Sequence, residues 1–512
     1  MTSAFILLLV PAGPLVAGLA SRPADPRRAG RLTQGAAWLA LGAALACAIG
    51  FLFTGPATIA WTPAGTAAPF AVSFRGDTLS MTMSVLVSWL GAVVLGFSRG
   101  HLAGDPNQAR FLSWMSLTLA AVLVLVLAGH LLLLLVAWMA TSLCLHRLLL
   151  FYPERAGARF AARKKFVFSR LGDACLLGAA LVLHARHGTF DIATILAEVS
   201  AGQTAGTGPA AGLLAACAML KSAQFPFHSW LPDTMETPTP VSAFMHAGIV
   251  NAGGFLVIRL APVFATAPVA AGLLAVTGAF TAAFGAVVML AQPSVKRALA
   301  YSTIAQMGFM MLQCGLGAYG LALLHLVAHS LYKAHAFLTA GSTVGAVPRA
   351  AVPLRTPALT LGLLTGGLCV VLGTVVLQVF RPAVEPAARV FGVILALALA
   401  YGLARTWSAG GGWRTFGKAL GAALVVALLS LGLHAAAAAL FAPVPRPLPP
   451  QGLLVAVGGV FAGLFAFQAL LWRAGRSGLG RRLYVHALNG FYLGTWFNQL
   501  LGRLWPQHPV SA

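Results

Sequence analysis

The sequence predicts an all-α, polytopic membrane protein, a single bundle of roughly 13–16 transmembrane helices with some of them broken. Three observations carry this. The chain has 512 residues, of which 59% are hydrophobic and 8% charged, and its mean hydropathy is +0.87. Apolar runs of about 20 residues, enough to cross a hydrocarbon core of about 30 Å, follow one another along most of its length. The basic residues gather in alternate connections between those runs.

Taken in order, the predicted spans are 4–21, 32–53, 78–98, 111–129, 131–151, 166–185, 208–225, 238–259, 267–291, 297–316, 319–343, 357–379, 387–404, 418–441 and 451–472. The first, MTSAFILLLVPAGPLVAGLA, lacks the basic n-region of a signal peptide and reads as a retained span. Pro226 and Pro232 predict a broken helix over 208–232. The stretch 357–404 is interrupted enough to predict another, with a matching break near GLLTGGLCVVLG, the arrangement of an inverted repeat. Residues 54–77 hold short alternating runs between Gly/Pro turns and predict an external hairpin. The bundle then covers residues 1–472. Residues 473–512 form a basic, amphipathic C-terminal segment, suited either to the membrane interface or to packing along the bundle.

The net charge of +23 is topological. With the N-terminus outside, the inner loops hold Arg22, Arg27, Arg28, Arg31, Arg99, Arg110, Arg155, Arg159, Arg163, Lys164, Lys165, Lys296 and Arg297, among others. The outer loops hold few, such as Arg75, Arg186, Arg381 and Arg446. This positive-inside bias puts the basic loops and the C-terminal segment on the cytoplasmic side of a bacterial inner membrane and the N-terminus in the periplasm. It makes nucleic acid a poor partner and leaves a basic face on which an acidic partner could dock. All six cysteines, Cys47, Cys144, Cys175, Cys217, Cys314 and Cys369, fall in apolar spans without a CxxC pair, and read as small buried hydrophobes. No P-loop, dinucleotide fingerprint or HExxH is present, so no cofactor and no catalytic chemistry are expected in this chain.

Ionisable side chains are costly inside a bilayer and by default mark an ion path. His325, His329 and Lys333 recur at i, i+4 and i+8, which places them on one stripe of a helix over roughly 12 Å. Two histidines at i, i+4 can also ligate zinc, but no acidic or thiolate ligand is near and Lys333 would repel a cation. Lys221 stands between a small, apolar stretch and Pro226, where desolvation lets a lysine switch protonation state; snorkelling to an interface is the alternative. His246 lies between Pro240 and Gly253–Gly254 and can relay protons or simply pack. Asp173 is one turn from Arg170 and reads first as its ion-pair partner, then as a modulator of the path. Glu236, in LPDTMETPTP, would either cap the helix after Pro238 or pair with Lys221 or another base. The off-stripe His335 is expected to face a neighbouring element.

At these residues the chain resembles a known family. KSAQFPFHSWLPDTMETPTPVSAFMHAG and SVKRALAYSTIAQMGFMM…HLVAHSLYKAHAFLTAGS are similar to the proton-translocating subunits of respiratory complex I and the Mrp-type cation/proton antiporters, over at least residues 130–345. The resemblance implies an antiporter-like fold in which Lys221, His246, His325, His329 and Lys333 line a central hydrophilic axis. FMHAGIVNAGGFLVIRL and HSLYKAHAFL look closest to one branch, the membrane subunits of DAB inorganic-carbon accumulation complexes. That branch implies a DabA-like partner, a soluble zinc protein resembling a β-carbonic anhydrase, with ion entry making CO2 hydration one-way so that bicarbonate accumulates. Protons are the expected ion, with Na⁺ the alternative. A pump subunit of a complex I-like or membrane hydrogenase assembly, and an Mrp-type Na⁺/H⁺ antiporter subunit, are the other functions the resemblance allows.

Two departures from the family pattern stand out. Met139 follows Trp138 where complex I homologues carry a glutamate that pairs with the lysine matching Lys221. His146, seven residues on and on the same helical face, either substitutes for it or sits at the interface. Residues 357–404 also lack the lysine that antiporter-like subunits often place in their broken twelfth helix.

Overall fold

A computed structural model describes residues 2–22, 25–61, 72–343, 356–380, 386–410, 412–440, 449–474 and 477–505. Among these, ten helices are long and apolar enough to cross a membrane. Every predicted span falls on a helix. The chain starts with α1 (Thr2–Ala20) and α2 (Pro26–Thr54). Pro26 opens α2, and the Asp25 carboxylate accepts from the Arg27 and Arg28 amides at 2.9 and 3.0 Å, a capped start that needs no tertiary help. β1 (Ala57–Trp61) pairs antiparallel with β2 (Val72–Gly76), with Ala57 opposite Gly76, so the predicted hairpin forms.

Next come α3 (Thr78–His101), α4 (Gln108–Leu127), α5 (Leu131–Leu149) and α6 (Ala156–His187), which ends at Gly188 in the left-handed conformation. After the short α7 (Ile192–Ser200), α8 (Thr207–Lys221) stops in mid-bundle. Pro226 and Pro232 supply no amide for a continuing ladder, and the chain proceeds in short turns that include α9 (Trp230–Asp233). The predicted break over 208–232 is thus present.

The next crossing is built from α10 (Thr239–Phe244), a π-turn (Met245–Ile249) and α11 (Ala252–Arg259), and it is wholly enclosed. After α12 (Ala261–Ala265) come α13 (Pro268–Ala291), α14 (Val295–Gly315) and α15 (Tyr319–Leu338). α13 and α14 approach backbone to backbone: a Cβ on Gly278 would lie 2.5 Å from the Leu312 amide nitrogen. The chain then runs through α16 (Thr356–Phe380), α17 (Pro386–Ser408), α18 (Gly412–Leu440) and α19 (Gln451–Ala474).

The break expected near GLLTGGLCVVLG is absent, because α16 runs unbroken through it. Its glycines serve packing instead: a Cβ on Gly362 would sit 2.4 Å from the Ala400 carbonyl of α17. The outer helices keep large apolar side chains exposed, among them Leu39, Val425 and Val455, as lipid-facing helices do.

The two ends of the bundle differ. At one, Gly129 donates to the Ser73 carbonyl at 2.8 Å, tying the hairpin to the start of α5. There the Asp77 carboxylate caps α3 and pairs with Arg75 and with Arg259, whose side chain is buried. At the other end, His101, Tyr152, Arg155, Glu236 and Lys296 surround a polar cleft of about 280 Å³. The C-terminal helices α20 (Gly478–Leu488) and α21 (Leu493–Leu504) lie against this basic end, joined by a kink with positive φ at Phe491 and Tyr492. Gln292 donates to the Leu488 carbonyl, and Phe497 meets Phe168 edge-on at 5.4 Å. Residues 477–505 thus touch the bundle, while much of their surface stays exposed. The remainder of 473–512 lies outside the described residues, apart from the end of α19.

Candidate ion pathway

The stripe on α15 forms as spaced. Lys333 is completely buried and its Nζ donates to the Leu299 carbonyl of α14 at 3.1 Å. His329 is buried beside it, and the His325 and His329 rings lie 6.0 Å apart. His325 Nδ1 shares a 2.9 Å hydrogen bond with Gln313 Oε1 on α14. His246 faces the stripe from the π-turn, fully buried, with Nδ1 2.9 Å from Thr303 Oγ1 and its ring stacked on Phe337 at 4.5 Å. The π-turn frees a backbone acceptor: Asn251 Nδ2 donates to the Ala247 carbonyl at 2.7 Å and to Ser330 Oγ on α15 at 2.8 Å. His246 Nε2 and His329 Nε2 have no partner within the chain. Such atoms at buried sites call for water or an exchanging proton.

Lys221 belongs to a second group. It closes α8, and its buried Nζ lies 4.7 Å from the centre of the Trp138 ring with no hydrogen-bond acceptor. The Trp138 ring face is thus the contact that α5 offers this ammonium, with Met139 beside it supplying no carboxylate. Asp173, buried on α6, forms the expected ion pair with Arg170 at 2.7 Å. Asp173 is also within electrostatic reach of Lys221 and of Lys165. Lys165 is buried too, its Nζ donating to the Ser142 carbonyl at 2.8 Å and to Ser142 Oγ at 2.7 Å. His146, half-buried beside Phe166, faces the same lysine. Between the two groups lie the buried polar side chains of Ser222, Gln224 and Asn251, with Gln224 Oε1 and Asn251 Oδ1 unpaired.

Three expectations need correction. Of the alternatives for Glu236, neither Lys221 nor the cap of α10 is met: it is exposed at the basic end, where another base, Lys296, is its electrostatic neighbour. His335 is exposed rather than turned to a neighbour. Lys164 and Lys165 are not loop charges, because α6 begins at Ala156, ten residues before the predicted span. Lys164 Nζ donates to Asp233 at 2.8 Å, to the Ser229 carbonyl at 3.3 Å and to Asn498 Oδ1 of α21 at 2.7 Å. Lys165 could have been found from spacing alone, since it stands at i−8 from Asp173 as His325 does from Lys333.

Among the described residues no cluster of His, Cys, Asp or Glu could hold a metal ion. The arrangement is one of buried bases in two groups with one carboxylate, suited to passing protons by charge displacement.

The chain is similar to known membrane subunits. Residues 128–359 match the family described as the NADH:quinone oxidoreductase/Mrp antiporter transmembrane region, and residues 61–112 the N-terminus of complex I chain 5. The chain is 37% identical to the probable inorganic carbon transporter subunit DabB2 of Halothiobacillus neapolitanus, over 99% of this chain and 95% of that one. It is 47% identical to the probable inorganic carbon transporter subunit DabB of Hydrogenovibrio crunogenus over about half of each, 52%. A chain of the Mrp complex from a Dietzia species shares the fold, with TM-score 0.59 and 24% identity, covering 99% of this chain and 57% of that one. The chain belongs to the DabB family, a branch of the complex I- and Mrp-like membrane subunits.

Proposed function

We propose that this chain is the proton-conducting membrane subunit of an energy-coupled inorganic-carbon pump. The single observation that carries the reading is the set of His246, His329 and Lys333, buried together on α15 and the facing π-turn, with the half-buried His325 beside His329. Lys221, with Lys165 and Asp173, forms the adjoining group. Protonating one buried base raises the cost of charging the next, so a proton entering one group displaces one from the other.

The names of the relatives support inorganic carbon as the cargo of the complex. This chain conducts the ion, and the hydration chemistry belongs to a DabA-like zinc protein. The basic end, with Arg155, Lys296 and the docked α20–α21, is the cytoplasmic face on which that partner sits, and the N-terminus is periplasmic. Proton entry at the far end then drives bicarbonate accumulation in the cytoplasm.

The test is a pull-down of the tagged protein from native membranes, with protein mass spectrometry and zinc analysis. A zinc-loaded soluble partner, together with uncoupler-sensitive carbon uptake, supports the reading. Co-purifying flavin or iron–sulfur subunits would identify an electron-transfer pump instead. Small Mrp subunits with sodium export would identify an antiporter.

A further inference from the structure

The proposed path needs a second opening, and the usual structural means is missing. α16 is unbroken and residues 357–404 contain no lysine. The stripe nevertheless does not end blindly. Gln313, which holds His325, also lines a cavity of about 720 Å³ between α13, α14, α17, α18 and α19. Gln306, Tyr401, Ser430 and Gln468 line it as well, from four different helices. The cavity extends along α17 from Arg389, near its first turn, to Arg405, near its last.

The glutamine and serine side chains that α14, α18 and α19 turn into one space are costly if that space is filled with lipid tails. They are satisfied if it holds water. A volume of 720 Å³ has room for about 20 molecules at about 30 Å³ each, and the lining glutamines offer donors and acceptors to several of them. Gln306 is exposed into this space rather than bonded within the chain's core. With Gln313 Oε1 turned to it, His325 carries its N–H on Nδ1, and Nε2 is left as the atom that takes up or releases a proton.

We infer that the α15 stripe opens through His325 and Gln313 into a hydrated cavity between α14 and α17–α19, which serves as the second half of the ion path in place of a lysine-bearing broken helix. The inference rests on the conduction reading above. In it Gln313 is a positioning residue. It fixes the tautomer of His325 and, as the member of the pair that lines the cavity, anchors the first water through which His325 exchanges its proton.

Two measurements on the intact complex test this. In the first, Ala398→Cys, facing the cavity, and Val425→Cys, exposed on the outside of α18, are treated with a charged, membrane-impermeant methanethiosulfonate, with wild type as the blank. Labelling of position 398 but not 425 is expected; absence of labelling at both, or equal labelling, overturns the hydrated cavity. In the second, ion-driven carbon uptake is compared for Gln313→Leu, Gln468→Leu and Lys221→Ala, each checked for native Tm. A fall of at least tenfold for Gln313→Leu, and a smaller one for Gln468→Leu, is expected. If Lys221→Ala abolishes uptake while Gln313→Leu and Gln468→Leu leave it intact, the exit through this cavity is wrong and the conduction reading stands. If uptake survives Lys221→Ala as well, the conduction reading itself fails.

Discussion

The Lys221 ammonium lies 4.7 Å from the centre of the Trp138 ring, at the end of a helix that stops in mid-bundle. Relatives in complex I place a carboxylate one residue after this tryptophan, and here that residue is Met139. A ring face attracts a cation without holding a proton of its own. It therefore stabilises the charged lysine less than an ion pair does and leaves it easier to discharge.

The ring's contribution is measurable. A cation–π contact is worth about 0.5–2 kcal/mol, so Trp138→Leu should lower ion-driven transport about 2- to 30-fold. Trp138→Phe should retain most of it. Uptake assays on both variants, normalised to protein in the membrane, check this.

A buried ammonium helps to hold the tail, beside the Gln292 and Phe168 contacts. Lys164 has Asn498 among its acceptors, and Asn498→Ala leaves that donor short of a partner. The expected loss is about 1–3 kcal/mol, seen as a Tm lower by a few degrees in detergent. Lys164→Met in the same background should recover part of it, because the unsatisfied charge is then gone. An unchanged Tm for Asn498→Ala would mean that α21 is not docked on Lys164.

The hairpin end predicts an acid limb of stability. Burial pushes the Asp77 carboxyl up, but the Arg259 and Arg75 guanidinium groups and the Ser80 amide more than reverse this and hold it below the usual carboxylate range. A depressed carboxyl contributes stability that is present above its unfolded value of about 3.9 and is lost as pH falls through the folded value. Asp77→Asn should therefore lower Tm at pH 7 and flatten the decline of Tm below about pH 4. Thermal melts of both proteins across that range decide it.

Glu236 supplies a negative control. Exposed beside Lys296 and remote from the buried bases, it should tolerate Glu236→Gln with less than about a twofold change in transport, as a surface pair does. A large loss would place the entry of the path at the basic cleft.

Much of this was legible in the sequence because membrane folding leaves few choices. Apolar runs of fixed length gave each span, Pro226 and Pro232 gave the break after α8, and a four-residue period gave the face shared by His325, His329 and Lys333. What was not legible depended on contacts between helices. The start of α6 was placed late because Arg159, Arg163, Lys164 and Lys165 look like a loop, yet Asp233, Asn498 and Ser142 supply acceptors that let both lysines enter the bundle. GLLTGGLCVVLG looked like a break because glycine is common both at breaks and at close helix contacts; the approach of α17 decides between them. Sequence proximity left Glu236 open to a helix cap, Lys221 or another base, and the turns after α8 carry it to the basic end beside Lys296.

The measurement that bears most directly on the central claim is proton flux. The purified complex, reconstituted into vesicles holding a pH-sensitive dye, is given an imposed proton gradient, with wild type, Lys221→Ala and Lys333→Ala compared at matched Tm. Proton entry that depends on the complex and falls by about a hundredfold or more in both variants is the result expected of groups that carry the proton. Wild-type flux in both variants would contradict the assignment of the buried bases on α8 and α15 as the path.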